Sequence, residues 1–206
     1  TSLIVGISTT ILATLPGTLA ALGLTLTDFR MKAVVMGLLI SPMMVPTIIT
    51  GVGMFFLYAW LGVLYTIPGL VMAHTVLALP FVVLIVTATL ANFNVNLMRA
   101  GASLGANPVE VFFKIVLPVI LPGVLGGAVL AFVTSFDELI IALMVSGTDI
   151  ETVPRQMWSG VREEISPVIT AAATVLISFS ILLMGTAEFL RRRTVRLRSA
   201  KFAADA

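Results

Sequence analysis

Residues Leu97–Pro118 read LMRAGASLGANPVEVFFKIVLP, and the way this stretch folds decides what the chain around it can be. It is far too long for a simple turn and too polar to cross a bilayer. Its residues spell two short helices instead. The first covers about Leu97–Leu104, and Gly105 stands where a glycine stop ends a helix. Asn107 is a good N-cap and Pro108 suits the first helical position. Glu110, three residues after Asn107, sits where a capping-box acid belongs. The stretch predicts a helix–glycine–helix element leading into a spanning helix, a stiff handle rather than a floppy linker.

On both sides of it the chain is apolar. Of its 206 residues 59% are hydrophobic and 11% charged, whereas soluble domains run near 45–50% and about 25%. A bilayer is the solvent that suits such a surface. A spanning helix needs about 20 mostly apolar residues. Five stretches qualify, near Ser2–Leu26, Ala33–Tyr58, Ile67–Leu90, Pro118–Val145 and Pro167–Leu190. The expected architecture is an all-α polytopic membrane bundle over residues 1–190, followed by a basic tail, 191–206.

Loop charge orients the bundle, because Lys and Arg favour the cytoplasmic side. Of the 12 Lys and Arg residues, ten fall on one side: Arg30, Lys32, Arg99, Lys114 and six in the tail, Arg191, Arg192, Arg193, Arg196, Arg198 and Lys201. Arg155 and Arg162 fall on the other. The tail and the Leu97–Pro118 loop are therefore expected in the cytoplasm. Five spans then place Thr1 outside, so at least one further helix is expected before it. The tail itself is an anchor that contacts anionic lipid.

Several chemistries are excluded. The chain has no cysteine and one histidine, His74, which leaves no disulfide, no thiolate ligand and no metal site built from histidine alone. No G-x4-G-K-[ST] phosphate loop is present to cradle a nucleotide, so the chain is expected to bind no cofactor and hydrolyse no ATP. Nothing points to nucleic acid.

The second stretch carries Ser41-Pro42 and Val45-Pro46, followed by Thr47, Thr50, Gly51 and Gly53. Proline removes a helical hydrogen bond and kinks the chain, and such breaks persist in a membrane only where protein, hydroxyls or water satisfy the freed carbonyls. Pro46 reads either as a pore-lining kink or as ordinary packing against small residues.

With these residues in view, Leu97–Pro118 resembles the EAA loop of ABC importer permeases, E-A-A-x-x-x-G-x9-I-x-L-P. Ala100, Gly105, Ile115, Leu117 and Pro118 match at the required spacing, while Arg99 replaces the family's Glu and Gly101 its second Ala. The likeness extends to Leu39–Pro46, to Thr134–Glu138 through Ser146-Gly147, and to Val153-Pro154, Met157 and Val161–Pro167. These resemble the spermidine/putrescine branch of the family. The resemblance implies a type I permease bundle in a bacterial inner membrane. It implies an ATPase-coupling set of Arg99, Ala100, Gly101, Gly105, Ala106, Ile115, Leu117 and Pro118. The implied partners are a cytoplasmic ATPase dimer carrying ATP and Mg, a second homologous permease and a periplasmic binding protein. ATPase closure would draw two coupling helices together and rock the spanning helices between inward- and outward-facing states.

Two acids lie in the fourth stretch. With the bilayer starting near Pro122, Asp137 sits about 22 Å further along a helix, in the outer third of a hydrocarbon core of about 30 Å. Acids at such depth suggest a function; near an interface they can equally be solvated or cap a neighbour. On an unbroken helix Gly127, Ala131, Thr134 and Glu138 share one small, polar stripe, and Asp137 falls about 100° away. Glu138 is then expected to face a pathway, with Thr134 and Pro46, and Asp137 to meet another helix. His74 is expected to make an interhelical hydrogen bond.

Three functions remain open on the residues alone. The first is an importer permease for a small organic cation such as a polyamine, or for an opine- or amino-acid-like solute. An ion-coupled secondary transporter would favour central ionisable residues and repeated halves, and leaves the loop unexplained. A membrane hydrolase would need a nucleophile and a base, for which a serine paired with His74 is the one candidate.

Overall fold

The computed structural model describes residues 1–163, 170–182 and 184–186. Among the described residues, three helices are long and apolar enough to cross a membrane: α1 (Ser2–Leu26), α4 (Ile67–Leu90) and the run Pro108–Phe136. That run is α6 (Pro108–Val111), a π-helical turn over Phe112–Val116 and α7 (Leu117–Phe136). Pro118 has no N–H to give the carbonyl four residues back, and the chain takes the wider turn just before it, with Leu117 N–H donating to Phe112 O. The expected fifth span, Pro167–Leu190, falls partly on an apolar helix over Thr170–Thr186; 167–169, 183 and 187–190 lie outside the described residues.

α1, α4 and α7 pack side by side as the centre of the bundle. On α1 most large side chains point outward and small ones inward, with Val5 and Leu24 buried beside the small set. On α1, Ile4, Ile7, Ile11, Leu15 and Leu19 are exposed, while Gly6, Ala13, Gly17 and Ala21 are buried. This is the pattern of helices in lipid, where close backbone approach rather than escape from water drives association. On α7 the same logic buries Gly123, Gly127 and Ala131. A Cβ on Gly127 would come within 3.1 Å of Val82 Cα on α4. The stripe expected to face a pathway is therefore the packing surface of α7 against α4.

Two expected spans are broken. Ala33–Tyr58 is not one kinked helix. It is α2 (Lys32–Met44) and α3 (Thr47–Leu61), bent by 103°. Pro42 remains inside α2. Pro46 makes the corner, because it and the preceding Val45 both take extended backbone (ψ 129° and 132°). Pro118–Val145 likewise divides. α7 ends at Phe136, Asp137 closes its last turn, and a short α8 (Ile140–Val145) follows. α8 packs on α3 and touches α4, and α9 (Val153–Glu163) comes after a loop.

Candidate functional site

Around Gly105 the local reading holds in detail. α5 (Asn96–Ser103) ends at Leu104, and Gly105 follows with φ +85°. Ala106 N–H donates to Gly101 O at 3.1 Å, and Gly105 N–H to Ala102 O at 3.0 Å. These two bonds together make a Schellman stop. Then α6 opens on a reciprocal box: Glu110 N–H donates to Asn107 Oδ1 at 2.9 Å, and Asn107 N–H to Glu110 Oε2 at 3.1 Å. Lys114 Nζ donates to Glu110 Oε1 at 2.9 Å. The Lys114 hydrogen bond, helped by the Asn107 N–H, holds the Glu110 carboxyl below its ordinary range.

The residues of the expected coupling set divide by environment. Gly101 is buried, and a Cβ there would meet Ile115 Cδ1 at 2.6 Å. The missing methyl of Gly101 thus lets α5 lie close on Ile115. Ala106, Ile115 and Leu117 pack against the central core with Val111 and Val116. Arg99, Ala100, Gly105 and Pro118 face outward, with Arg99 Nη1 3.4 Å from Asn96 Oδ1. The most outward apolar side chains carry no motif letter: Leu104 is 89% exposed, Val109 64% and Phe113 59%. Motif spacing could not reveal them. Their signal is large apolar residues on the polar faces of capped helices. The motif residues shape the handle, and these three give it a contact surface.

The far end of α7 is the second site. Ser135 and His74 are buried, and Ser135 Oγ lies 2.9 Å from His74 Nδ1. This is the interhelical hydrogen bond expected of His74, between α4 and α7. Glu138 does not continue the α7 stripe. It folds over the start of α8, where Ile141 N–H donates to Oε1 and Oε2 at 3.1 and 2.9 Å and Ala142 N–H to Oε2 at 3.1 Å. Its side chain is 8% exposed, and Oε2 lies 3.7 Å from His74 Nε2. Asp137, expected against a neighbouring helix, is exposed instead. It borders a cleft with Phe132, Phe136, Pro154 and Phe179, whose three phenyl rings pack together at 5.3–6.4 Å. The break after Phe136 exchanges the two acids' expected surroundings. Thr134 is half-buried, less than a turn before Asp137, and Pro46 is exposed at the start of α3.

The other end of α8 is fastened as well. Arg155 Nη1 donates to Ser146 O at 3.0 Å, Ser146 Oγ at 2.7 Å, Ile150 O at 3.3 Å, and also Gly147 O. Tyr65 N–H donates to Val145 O at 3.0 Å. Neither residue was singled out by this role in the sequence. A serine–histidine pair does form, yet it is sealed between helices, and no group of three His, Cys, Asp or Glu that could hold a metal occurs among the described residues.

The fold is that of a type I ABC importer permease, an inner-membrane transport component and not an enzyme. The sequence profile of the binding-protein-dependent transport system inner membrane component matches residues 13–196, and the chain belongs to this family. Among its relatives, the spermidine/putrescine transport system permease protein PotC of Escherichia coli (strain K12) is 33% identical over 191 residues, 93% of this chain and 72% of that protein. The putrescine transport system permease protein PotI of the same strain is 33% identical over 143 residues, 66% of this chain and 51% of PotI. Among solved structures, an inward-facing MetNI methionine ABC transporter chain superposes with a TM-score of 0.74 at 18% identity, covering 94% of this chain and 92% of that one. That likeness carries the fold alone.

Proposed function

We propose that the chain forms half of the translocation path of an ATP-driven polyamine importer. Family membership and the names of the PotC and PotI relatives support the substrate class. The observation that carries the reading to this chain is Asp137, an exposed carboxylate beside Phe132, Phe136 and Phe179. A carboxylate flanked by aromatic faces suits an organic ammonium, which gains from both charge and ring quadrupole. Glu138, Thr134 and Pro46 belong to the same path, Glu138 by shaping the break that turns Asp137 outward.

The handle Asn96–Pro118 couples this path to ATP. Leu104, Val109 and Phe113 seat in a cytoplasmic ATPase subunit, while Arg99, Ala100, Gly101, Gly105, Ala106, Ile115, Leu117 and Pro118 give the handle its form and edges. The bias of Lys and Arg toward the handle and the tail favours a cytoplasmic location for both. A pair of ATPases carrying ATP and Mg, a second homologous permease and a periplasmic binding protein complete the importer.

The test is uptake of labelled spermidine and putrescine by the complete transporter in proteoliposomes, normalised to assembled complex. Asp137→Asn keeps shape and removes charge. It is expected to lower uptake about tenfold, the equivalent of roughly 1.4 kcal/mol, with assembly unchanged. Full uptake by Asp137→Asn overturns the cationic path at this acid.

A further inference from the structure

His74 is a buried titratable group to which the proposed transport path assigns no role. Its ring lies between α4 and α7 and is 1% exposed. Nδ1 faces Ser135 Oγ at 2.9 Å. Nε2 is buried and has no hydrogen-bond partner among the described residues; Glu138 Oε2 lies 3.7 Å from it, beyond hydrogen-bond length but in close polar contact away from water.

The Glu138 oxygens accept from the backbone N–H groups of Ile141 and Ala142. His74 Nδ1 is hydrogen-bonded to Ser135 Oγ, and this bond fixes the ring with Nε2 facing the carboxyl group. Thr10, Thr75 and Thr89 turn their hydroxyls back to the carbonyl four residues earlier, the usual resting place of a helical hydroxyl. Ser135 Oγ meets α4 instead.

We infer that His74 is a positioning residue for transport: held by Ser135, its ring sets Nε2 against Glu138, keeps that carboxyl group on the first amides of α8, and so fixes the break that presents Asp137. The inference rests on the reading of Asp137 as a pathway acid. Other ionisable groups near the cluster are Asp137, adjacent in the chain, and Tyr58 of α3, which packs with Ala73 and Ile141. Neither is hydrogen-bonded to His74 or Glu138 among the described contacts, so the polar side chain set against Glu138 from another element is that of His74.

A double-mutant cycle in the complete transporter tests it, read as spermidine uptake per assembled complex. Gln at position 74 places an amide near the site of Nε2 and has no ring for Ser135 to orient. His74→Gln is therefore expected to keep most uptake. Ser135→Ala in the His74 background is expected to lower uptake about fivefold, as coupled neighbours do. In the His74→Gln background the same Ser135→Ala change is expected to do nothing further. In His74→Leu the Ser135 hydroxyl is free to turn back to the carbonyl four residues earlier, as the threonines do, so the variant is expected to assemble yet lose uptake. An equal effect of Ser135→Ala in both backgrounds overturns the inference, as does full uptake by His74→Leu. If His74→Leu fails to assemble, the serine arm, a small truncation, still decides. Failure of the cycle together with a defective Asp137→Asn removes the role of His74 and leaves the pathway acid in place; full uptake by Asp137→Asn removes the pathway acid itself.

Discussion

At its loop end, α7 is reached through a turn whose parts are near neighbours in sequence; at its far end it stops against groups drawn from other elements. Gly105, Asn107, Pro108 and Glu110 satisfy one another within a few residues. The break at Asp137–Leu139 contains its own local cap, the Glu138 carboxyl group on the first amides of α8, but it is also held by a histidine on α4 and, beyond α8, by Arg155 and the Tyr65 N–H. The first break is local chemistry and forms wherever those residues stand in that order. The second exists only once α3, α4, α7 and α8 have come together. A local break can carry force through a stiff corner, and a break made by packing shifts when the packing shifts.

The difference can be broken by mutation, and the far end is expected to suffer most. Glu138→Ala leaves the first amides of α8 buried without their acceptor and His74 without its counterpart. The expected loss is on the order of 3 kcal/mol, seen as a lower thermal midpoint of the purified protein in detergent and as faster amide exchange across both α8 and α3. If exchange rises in α8 alone, the far break is as local as the near one. Gly105→Val comes next. Nothing lies within 4 Å of a Cβ there, so the strain is that of a branched residue at positive φ, about 1–2 kcal/mol. Amide exchange should rise between α5 and α6 while α1, α4 and α7 remain protected, and a pull-down with the ATPase should weaken while membrane insertion stays normal. A general melting of the bundle by Gly105→Val would erase the contrast. Asn107→Ala is the smallest change. It removes one arm of the box at about 1 kcal/mol, and should fray only the first turn of α6, read by the same exchange measurement.

The contrast also explains what could be read in advance. Caps and stops follow rules that act over three to five residues, so the handle was legible down to the Glu110 return bond. α1 and α4 were legible from their length, and α7 in part, since the expected span ran on past its end at Phe136. Pro46 and Pro42 were both visible as breakers, but only Pro46 turns the chain, because Val45 and Pro46 are both extended while Pro42 is carried within α2. The exchange of Asp137 and Glu138 was not legible. Helical periodicity was carried past Phe136, and no glycine or proline stands between Phe136 and Ile140 to announce a stop. Part of the reason for the stop lies on α4, far away in sequence, where His74 meets Ser135 and Glu138. The small-residue stripe was seen correctly as a stripe and assigned the wrong neighbour, since Gly127 and Ala131 serve equally well to line a path or to admit another backbone.

The inside-out order of α1 bears on how the protein could be handled as a material. Because its contacts are made by Gly6, Ala13, Gly17 and Ala21 while Ile4, Ile7, Ile11, Leu15 and Leu19 face away from the bundle, the helix separates its solvent preference from its assembly code. Recolouring the outward positions with Glu, Lys and Gln would alter which medium the helix dissolves in and leave the interlocking face untouched. A designer seeking a water-soluble version of this bundle would begin with those five side chains, and would keep every glycine.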